Sequence, residues 1–203
     1  MVAEHCVHNH RRLANETSEM SDELSQLKVC YERLKLLNQV GSVIHSTLEP
    51  QIALSLIAHE AARLMGASSC SVILVNPTTG FLEIEASEGL SDLARGLKLR
   101  IGEGLTGWVA QKGKPARVGD VAQDKRYIMV RDEVRSELAV PLEVAGEVRG
   151  VLNVDSDRLD AFTADDQELL ESLATQAARV IQNTWLFEQL RLKARLLESL
   201  ASV

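Results

Sequence analysis

Acidic side chains are the residues in the middle of this chain whose types could do chemistry. Between residues 98 and 162 they include Glu103, Asp120, Asp124, Glu137, Asp155 and Asp157. Carboxylates serve as general acids and bases and bind polar ligands, although most lie at the surface and are simply solvated. The same stretch contains no His and no Cys, so a Ser/His/Asp or Cys/His arrangement cannot be assembled within it. The pattern therefore favours a binding site over a catalytic centre.

Histidine and cysteine lie outside that stretch. Four of these residues crowd the N-terminus and could in principle hold a metal: His5, Cys6, His8 and His10. No downstream element completes a coordination shell, and we expect residues 1–16 to form a disordered tail without a metal. His59 lies within a predicted helix, where a surface or packed role is commoner than haem ligation. Cys30 and Cys70 are widely spaced, which implies no disulfide framework, and any cofactor is unknown.

The composition limits the classes of protein to which the chain can belong. With 203 residues, 45% of them hydrophobic and only 3% aromatic, we expect one domain with an aliphatic core and helical extensions. A net charge of -7 argues against a nucleic-acid-binding surface, which needs a basic face. The sequence shows neither a secretory signal peptide nor an apolar run of membrane-spanning length. We therefore expect a cytoplasmic protein that binds neither nucleic acid nor membrane.

Apolar periodicity predicts the elements that would position the acidic residues. A long helix is predicted over residues 17–46, and Pro50 opens a second helix that ends near Gly66. The buried face of the second helix is predicted to contain Ile52, Leu56, Ala61 and Leu64. Alternating patterns predict strands at 69–76, 81–87, 98–101, 136–145 and 147–155.

Three glycines match the pattern G-x-G-x-x-G, at Gly102, Gly104 and Gly107. The pattern alone is a weak signal for a dinucleotide site, and Glu103 would place a negative charge where a pyrophosphate binds. The strands around it are predicted to be antiparallel, whereas a dinucleotide fold needs parallel strands joined by helices. We therefore interpret the glycines as a tight turn into a short helix over residues 105–112.

Three sequence anchors follow one another in this part of the chain. They are Ile-Gly-Glu-Gly-Leu-Thr-Gly-Trp at 101–108, Ser-Glu-Leu-Ala-Val-Pro at 136–141 and Gly-Val-Leu-Asn-Val-Asp-Ser at 150–156. In order and spacing they resemble the GAF domain, a small-molecule-binding sensor module of signalling proteins, over roughly residues 37–185. The resemblance implies an α+β fold with an antiparallel sheet of five or six strands. Helices would cover one face and a ligand cavity the other, with long N- and C-terminal helices flanking the domain.

The resemblance also implies where a ligand would bind. In GAF domains the irregular stretch that corresponds to residues 120–135 forms the mobile wall and lid of the pocket. The candidate ligand-binding residues are Trp108, Asp120, Tyr127, Met129, Ser136, Glu137, Leu138 and Asp155. The aromatic and thioether side chains would form apolar walls, and the Ser, Glu and Asp side chains would make polar contacts. Core packing is the alternative for Trp108 and Leu138, and the identity of the small-molecule ligand is unknown.

Families with the same fold provide alternatives. Free methionine-(R)-sulfoxide reductase has a similar Gly-Val-Leu-x-x-Asp-Ser element, and its chemistry needs thiolates. Its cysteines would align near Gly96, Thr106 and Val130, none of which is Cys, so we expect no enzyme activity. Cyclic-nucleotide-binding GAF domains have a pattern that Asn153 matches and Val154 breaks. Bilin-linking GAF domains need a cysteine near the pocket helices, and none stands there.

Heptad spacing predicts how copies of the chain would associate. Two sets of positions recur every seven residues towards the end of the chain: Val180, Phe187, Ala194 and Ala201, and Asn183, Leu190 and Leu197. We expect coiled-coil signalling helices at residues 17–36 and 186–203 around a domain at 37–185, and a homodimer formed through them. The chain would be part of a longer regulator whose output domain or partner protein responds to ligand occupancy. A ligand-free dimerisation or protein-interaction domain is the alternative.

Overall fold

The computed structural model describes residues 50–129 and 131–201. Its elements are α1 (Pro50–Met65), β1 (Ser69–Val75), β2 (Phe81–Glu88), α2 (Asp92–Arg95), β3 (Leu99–Arg100), α3 (Gly104–Lys112), β4 (Ala116–Val118), a 3₁₀ turn (Val121–Gln123), β5 (Ser136–Val144), β6 (Glu147–Ser156) and α4 (Ala164–Ala201). The tail predicted over residues 1–16 and the helix predicted over 17–46 lie outside the described residues. In the described part of the chain, no helix combines the length and the hydropathy that crossing a bilayer requires.

A single six-stranded sheet organises the described residues. Its strand order is β3-β2-β1-β6-β5-β4, and every neighbouring pair is antiparallel. The β5–β6 hairpin turns through Ala145 and Gly146, whose φ angles of 53° and 82° suit a two-residue turn between twisted strands. The predicted α+β fold with an antiparallel sheet of five or six strands is confirmed.

The two faces of the sheet are covered differently. Side chains alternate along each strand, so one face carries Leu138 and Leu152 and lies under α1 and α4. The opposite face carries Ile73, Ala139 and Val151, which form a cluster with side chains of α3. The helices at the two ends of the described chain therefore share one side of the sheet. The other side is left to α3 and the segments around it.

The buried face of α1 differs from the predicted one. Its buried residues are Ala53, Leu54, Ile57, Ala58, Ala61, Ala62 and Met65. Ile52 is 53% exposed, and Leu56 and Leu64 are only partly buried, so the prediction was wrong for three of its four residues. Because α1 is apolar around most of its circumference, spacing alone does not select the buried stripe. Small alanine side chains on the buried face let the helix lie close to the sheet.

The glycine-rich segment forms a tight turn into α3. Gly102 and Gly104 have φ angles of 89° and 71°, a region that other residues rarely adopt. The N–H of Gly102 donates to the carbonyl of Gly107 over 2.8 Å, and a Cβ on Gly107 would lie 2.6 Å from the carbonyl oxygen of Arg100. The Glu103 carboxylate accepts a hydrogen bond from the N–H of Arg100 (2.9 Å). This acidic side chain is therefore part of the turn.

Pro141 lies within β5 without interrupting it. The pairing of β4 with β5 runs only from Glu137 to Ala139, so no described strand lies beside Pro141 on that side. Its missing N–H can therefore face an edge that has no partner strand. The irregularity in the β5–β6 ladder falls between Leu142 and Glu143, after the proline.

We expect Gly150→Ala to destabilise the fold. An added Cβ at Gly150 of β6 would overlap the backbone carbonyl oxygen of Ile73 on β1. Both strands are central in the sheet, so backbone rather than a flexible side chain would have to move, at a cost of about 1–3 kcal/mol. Urea unfolding followed by circular dichroism measures this loss.

Gly146→Ala is the matched control for that substitution. Gly146 has a φ of 82° but open space around its Cβ position, so only backbone strain of about 1 kcal/mol should result. If Gly150→Ala loses no more stability than this control, the close approach of β1 and β6 does not limit the residue at position 150.

Candidate functional site

A cavity of about 100 Å³ lies between the sheet and the segments that cross its α3 side. Strands β1, β2, β5 and β6 contribute to its floor. The start of α3, the residues around α2 and the segment that precedes β5 form its walls. The lining residues are Ser71, Ile73, Leu82, Ile84, Leu90, Ala94, Leu97, Leu99, Gly104, Leu105, Thr106, Tyr127, Ile128, Arg131, Val134, Glu137, Asn153 and Asp155.

The register of the sheet positions the polar part of this lining. Asp155 of β6 lies opposite Ser69 of β1 and Glu137 of β5, so the three residues form one row across the sheet. Asn153 lies opposite Ser71 in the next row that faces the same way. Residues two apart in a strand share a face, which is why both rows lie on the cavity side.

Asp155 is the best-connected residue of the polar rows. It is buried, and its Oδ2 accepts a hydrogen bond of 2.6 Å from the hydroxyl of Ser69. Arg131 donates from Nη2 to Asp155 Oδ1 and, over 3.0 Å, to Ser69 Oγ. Burial raises the pKa of Asp155, although the hydrogen bond from Ser69 and the charge of Arg131 oppose this effect. The ion pair ties the segment before β5 to the centre of the sheet.

Glu137 is a buried carboxyl without such partners. Its side chain is 6% exposed, and no hydrogen bond or ion pair joins its carboxyl to any described residue. Burial, together with the negative charges of Asp155 and Asp124, raises the pKa of Glu137 to about 8. The group is therefore largely protonated at neutral pH, and a nearby positive charge would make it release its proton.

Asn153 contributes a second polar group that lacks a partner. The residue is 8% exposed, and its Oδ1 is buried without accepting a hydrogen bond. Leaving a buried acceptor unsatisfied costs about 1–3 kcal/mol, so most proteins avoid it. Asn153 lines the cavity but its Oδ1 is covered, so a bound molecule would donate a hydrogen bond to this acceptor only after the amide had turned towards the cavity.

The segment before β5 is held by its own ion pair. Arg126 donates to the Asp124 carboxylate through Nε (2.9 Å) and Nη2 (2.6 Å), and this pairing lowers the pKa of Asp124. The guanidinium also lies 4.4 Å from the centroid of the Trp108 ring, in a cation–π contact. The next residue, Tyr127, lines the cavity. Burial and the charge of Glu137 raise the pKa of Tyr127 to about 12, so its hydroxyl stays protonated.

Three of the candidate ligand-binding residues line the cavity: Tyr127, Glu137 and Asp155. Ser136 and Leu138, the neighbours of Glu137, do not line it. Ser136 is fully buried and donates a hydrogen bond of 2.7 Å to a backbone carbonyl, and Leu138 packs on the helix side of the sheet. Since adjacent residues of a strand point to opposite faces, these three consecutive residues cannot all face one cavity.

The remaining candidates lie beside the cavity rather than on its surface. Trp108 is partly buried against the core and stacks with Arg126. Asp120 caps the 3₁₀ turn, where its Oδ1 accepts a hydrogen bond of 3.1 Å from the N–H of Ala122. Met129 is 70% exposed. Whether any candidate residue binds a ligand stays a prediction.

Several lining residues were not among the candidates. Asn153 could have been found, because it precedes Asp155 by two residues in a strand and must share its face. Arg131 belongs to an irregular segment, where no periodicity predicts the direction of a side chain. The same holds for Leu90 and Leu97, which approach the cavity from the residues around α2.

The structure also places the groups that could support thiol or metal chemistry. Cys70 is buried in β1 between two cavity-side serines, so it faces away from the cavity, and burial raises its pKa. His59 is exposed and lies 3.3 Å from the Glu88 carboxylate. Among the described residues, no group of three or more His, Cys, Asp or Glu is arranged to hold a metal ion. The histidines of the N-terminal tail lie outside the described part of the chain.

Comparison with known proteins identifies a shared domain. A family model described as the GAF domain matches residues 47–182. The Nif-specific regulatory protein of Azospirillum lipoferum is 29% identical over 130 residues, which are 60% of this chain and 21% of that protein. The chain spans about half or less of the length of the curated relatives that it matches.

Solved structures show the same architecture. The GAF domain from Acinetobacter phosphoenolpyruvate-protein phosphotransferase has a TM-score of 0.70 at 24% identity, over 78% of this chain and 98% of that chain. Free methionine-R-sulfoxide reductase from Neisseria meningitidis, solved in complex with its substrate, has a TM-score of 0.63 at 27% identity. That match covers 72% of this chain and 90% of the reductase. At these identities the likeness is one of fold.

We expect Glu137→Gln to change how stability depends on pH. The pKa of Glu137 in the folded protein is about 8, above its ordinary value of 4.5, so the folded state keeps a proton that the unfolded state releases. Glu137 therefore lowers stability progressively as pH rises from 4.5 to 8. Glutamine cannot ionise. Urea unfolding at pH 5 and pH 8 should show the stability of the variant, relative to the wild type, rising by on the order of 3 kcal/mol.

Glu143→Gln provides the control on the same strand. Glu143 is exposed, so its replacement should shift stability by a similar small amount at both pH values. If the stability difference between Glu137→Gln and the wild type is also the same at pH 5 and pH 8, Glu137 does not hold an extra proton in the folded protein.

Proposed function

Because this chain belongs to the GAF domain family, we propose that it is a sensory module that binds a small molecule in the cavity above its sheet and regulates a signalling protein. The observation that carries the proposal is the polar wall of the cavity, where Glu137 and Asn153 Oδ1 are buried without partners. Buried polar groups in folded proteins normally have partners, and a bound molecule would supply them. A regulatory protein among the relatives supports the sensory role.

The chain path offers a route from the cavity to a long helix. β6 ends at Ser156, directly after Asp155, and α4 begins at Ala164. The start of α4 is fixed by a capping box, in which the N–H of Thr163 donates to Asp166 Oδ2 (2.9 Å) and the N–H of Asp166 donates to Thr163 Oγ1 (3.2 Å). Only residues 157–163 separate the two elements, and we propose that a shift of β6 moves the beginning of α4 through them. A ligand produces such a shift only if it binds two arrangements with different affinity.

We propose that α4 joins two copies of the chain into a homodimer. The helix runs for 38 residues, and large apolar side chains on it are exposed: Trp185 is 53% exposed and Leu190 is 66% exposed. Leu190 belongs to the predicted heptad series, whose apolar positions favour a partner helix. Ligand occupancy would then alter the packing of paired helices, and an output domain or partner protein would respond to it. The proposed contribution of residues 17–36 lies outside the described residues.

Enzyme activity is not part of this proposal. Reduction of a sulfoxide needs a reactive thiolate beside the substrate. Cys70 is buried on the other face of the sheet, and the positions aligned with reductase cysteines include Gly96 and Thr106, which hold no sulfur. A ligand-free interaction domain is the second alternative, and the experiment below separates it from a sensor. The cytoplasmic location stays a prediction.

We expect the purified protein to carry a small molecule. The protein should be denatured, its low-molecular-weight extract analysed by mass spectrometry, and the extract compared with that of Asn153→Leu. The substitution removes the unsatisfied acceptor while keeping the volume, so one molecule should be depleted severalfold in the variant. Identical extracts from two folded proteins would contradict the sensor and favour the ligand-free domain.

We expect Leu190→Glu to break the proposed dimer, because it places a charge in the apolar contact between two helices. Light scattering should give twice the chain mass of 22.3 kDa for the wild type and a mass near 22.3 kDa for the variant. Arg195→Glu, at an exposed position outside the heptad series, should leave the dimer intact. A dimer that survives Leu190→Glu would exclude this contact.

A further inference from the structure

We infer that the cavity accepts a small monocation with several N–H donors on a short aliphatic body, such as a primary alkylammonium, and that Glu137 and Asn153 bind its charged end. This inference rests on the proposed function, because it names the chemical class of the molecule bound at the same site. It is drawn from the charges, the unsatisfied acceptors and the shape of the cavity.

The charge balance of the polar wall favours a cation. Arg131 is paired with Asp155, and Arg126 is paired with both oxygens of Asp124, so the two arginines near the cavity are already neutralised. Glu137 is the surplus carboxyl, and it lies directly opposite Asp155 on the neighbouring strand. Like charges at opposed positions of a sheet repel each other. This repulsion keeps Glu137 protonated in the empty site, and a bound cation would let it ionise beside Asp155, whereas an anion would hold it protonated.

The unsatisfied groups specify the donors that the ligand must carry. Asn153 Oδ1 accepts hydrogen bonds and has no donor, and an ionised Glu137 carboxylate also accepts only. The two residues are diagonal cross-strand neighbours, since Glu137 lies opposite Asp155 and Asn153 precedes Asp155 by two. Such positions are about 7–8 Å apart, within reach of a long side chain and one bound group. Once the Asn153 amide turns towards the cavity, an ammonium with its three donors can satisfy both residues at once, which a hydroxyl with one donor cannot.

The apolar lining and the volume of the cavity limit the polarity and the size of the uncharged part of the ligand. Aliphatic side chains line it, among them Leu82, Ile84, Leu90, Leu97 and Leu99. The volume of about 100 Å³ is below that of an engineered cavity of about 150 Å³ that holds benzene. The part of a ligand that lies inside this space without displacing the walls therefore has no more than about six non-hydrogen atoms. A short, unbranched hydrocarbon chain satisfies this limit.

Binding of such a cation displaces the proton from Glu137. The pKa of the empty site is about 8, so at neutral pH the carboxyl loses its proton to the buffer as the ammonium binds. As pH increases towards 8, the apparent affinity should therefore rise about tenfold for each pH unit, and it should level off above pH 8. The charged and titratable groups that act on Glu137 and could modify this dependence are Asp155 of β6 and, in the segment before β5, Asp124, Arg126, Tyr127 and Arg131.

Three probes of nearly equal size test the inference. n-Butylammonium, 1-butanol and butyrate share a hydrocarbon chain and differ in charge and in donors. Each is titrated into the full chain by calorimetry and by NMR at pH 7.5, with Glu137→Gln as the test variant and Glu143→Gln as the control. We expect n-butylammonium to bind about tenfold or more tightly than 1-butanol, and butyrate to bind least. Calorimetry in buffers of different ionisation enthalpy should show a proton released on binding.

The variants decide the role of Glu137. The preference for n-butylammonium and the proton release should both disappear in Glu137→Gln and persist in Glu143→Gln, with circular dichroism showing that each variant is folded. Equal or tighter binding of 1-butanol or butyrate would overturn the inference, as would a preference that survives in Glu137→Gln or the binding of no probe at high millimolar concentration. None of these results decides the sensory role, which fails separately if the wild-type and Asn153→Leu extracts are identical.

Discussion

The register of β1, β6 and β5 is the constraint on which the candidate site depends. It places Ser69, Asp155 and Glu137 in one row and turns that row towards the cavity. A shift of one residue in β6 would exchange its two faces and move Asp155 against the helices. The close approach of Gly150 to the backbone of Ile73 is compatible with this register, because a side chain at position 150 would require the two strands to move apart. Packing in the centre of the sheet thus determines the chemistry of the cavity.

Polar groups in the cavity wall lower the stability of the fold, whereas apolar packing on the other face of the sheet raises it. The helix-side face buries Leu138 and Leu152 completely, which stabilises the fold by roughly 1.5–3 kcal/mol for each large side chain. On the opposite face, Glu137 and Asn153 each bury a polar group without a partner. Such groups lower stability and persist where they serve a purpose other than folding. The two faces of one sheet therefore contribute to stability with opposite signs.

The fold could be predicted from the sequence more completely than the site. Strict alternation in the β5–β6 hairpin and the glycine turn before α3 are local signals, and each produced the expected element. The buried face of α1 could not be chosen, because Ile52 and Ile57 are equally apolar and only contact with the sheet distinguishes them. That Glu137 and Asp155 line the cavity could be predicted from the alternation of side chains along their strands. Arg131 was not, because its position results from an ion pair formed between distant parts of the chain.

The edges of the sheet have a consequence for how the protein behaves in a crowded solution. Strand β3 has only two residues and β4 only three, and Pro141 of β5 offers no N–H beyond the end of β4. Edge strands with long rows of free donors and acceptors recruit strands of other molecules and start aggregates. Within the described part of the chain, the two edge strands themselves present few such groups, whereas β2 after Leu82 and β5 after Ala139 have no strand beside them. The edge strands are therefore poor templates for fibril growth, and strand exchange at high local concentration would have to begin at the open parts of β2 and β5, of which β5 is interrupted by Pro141.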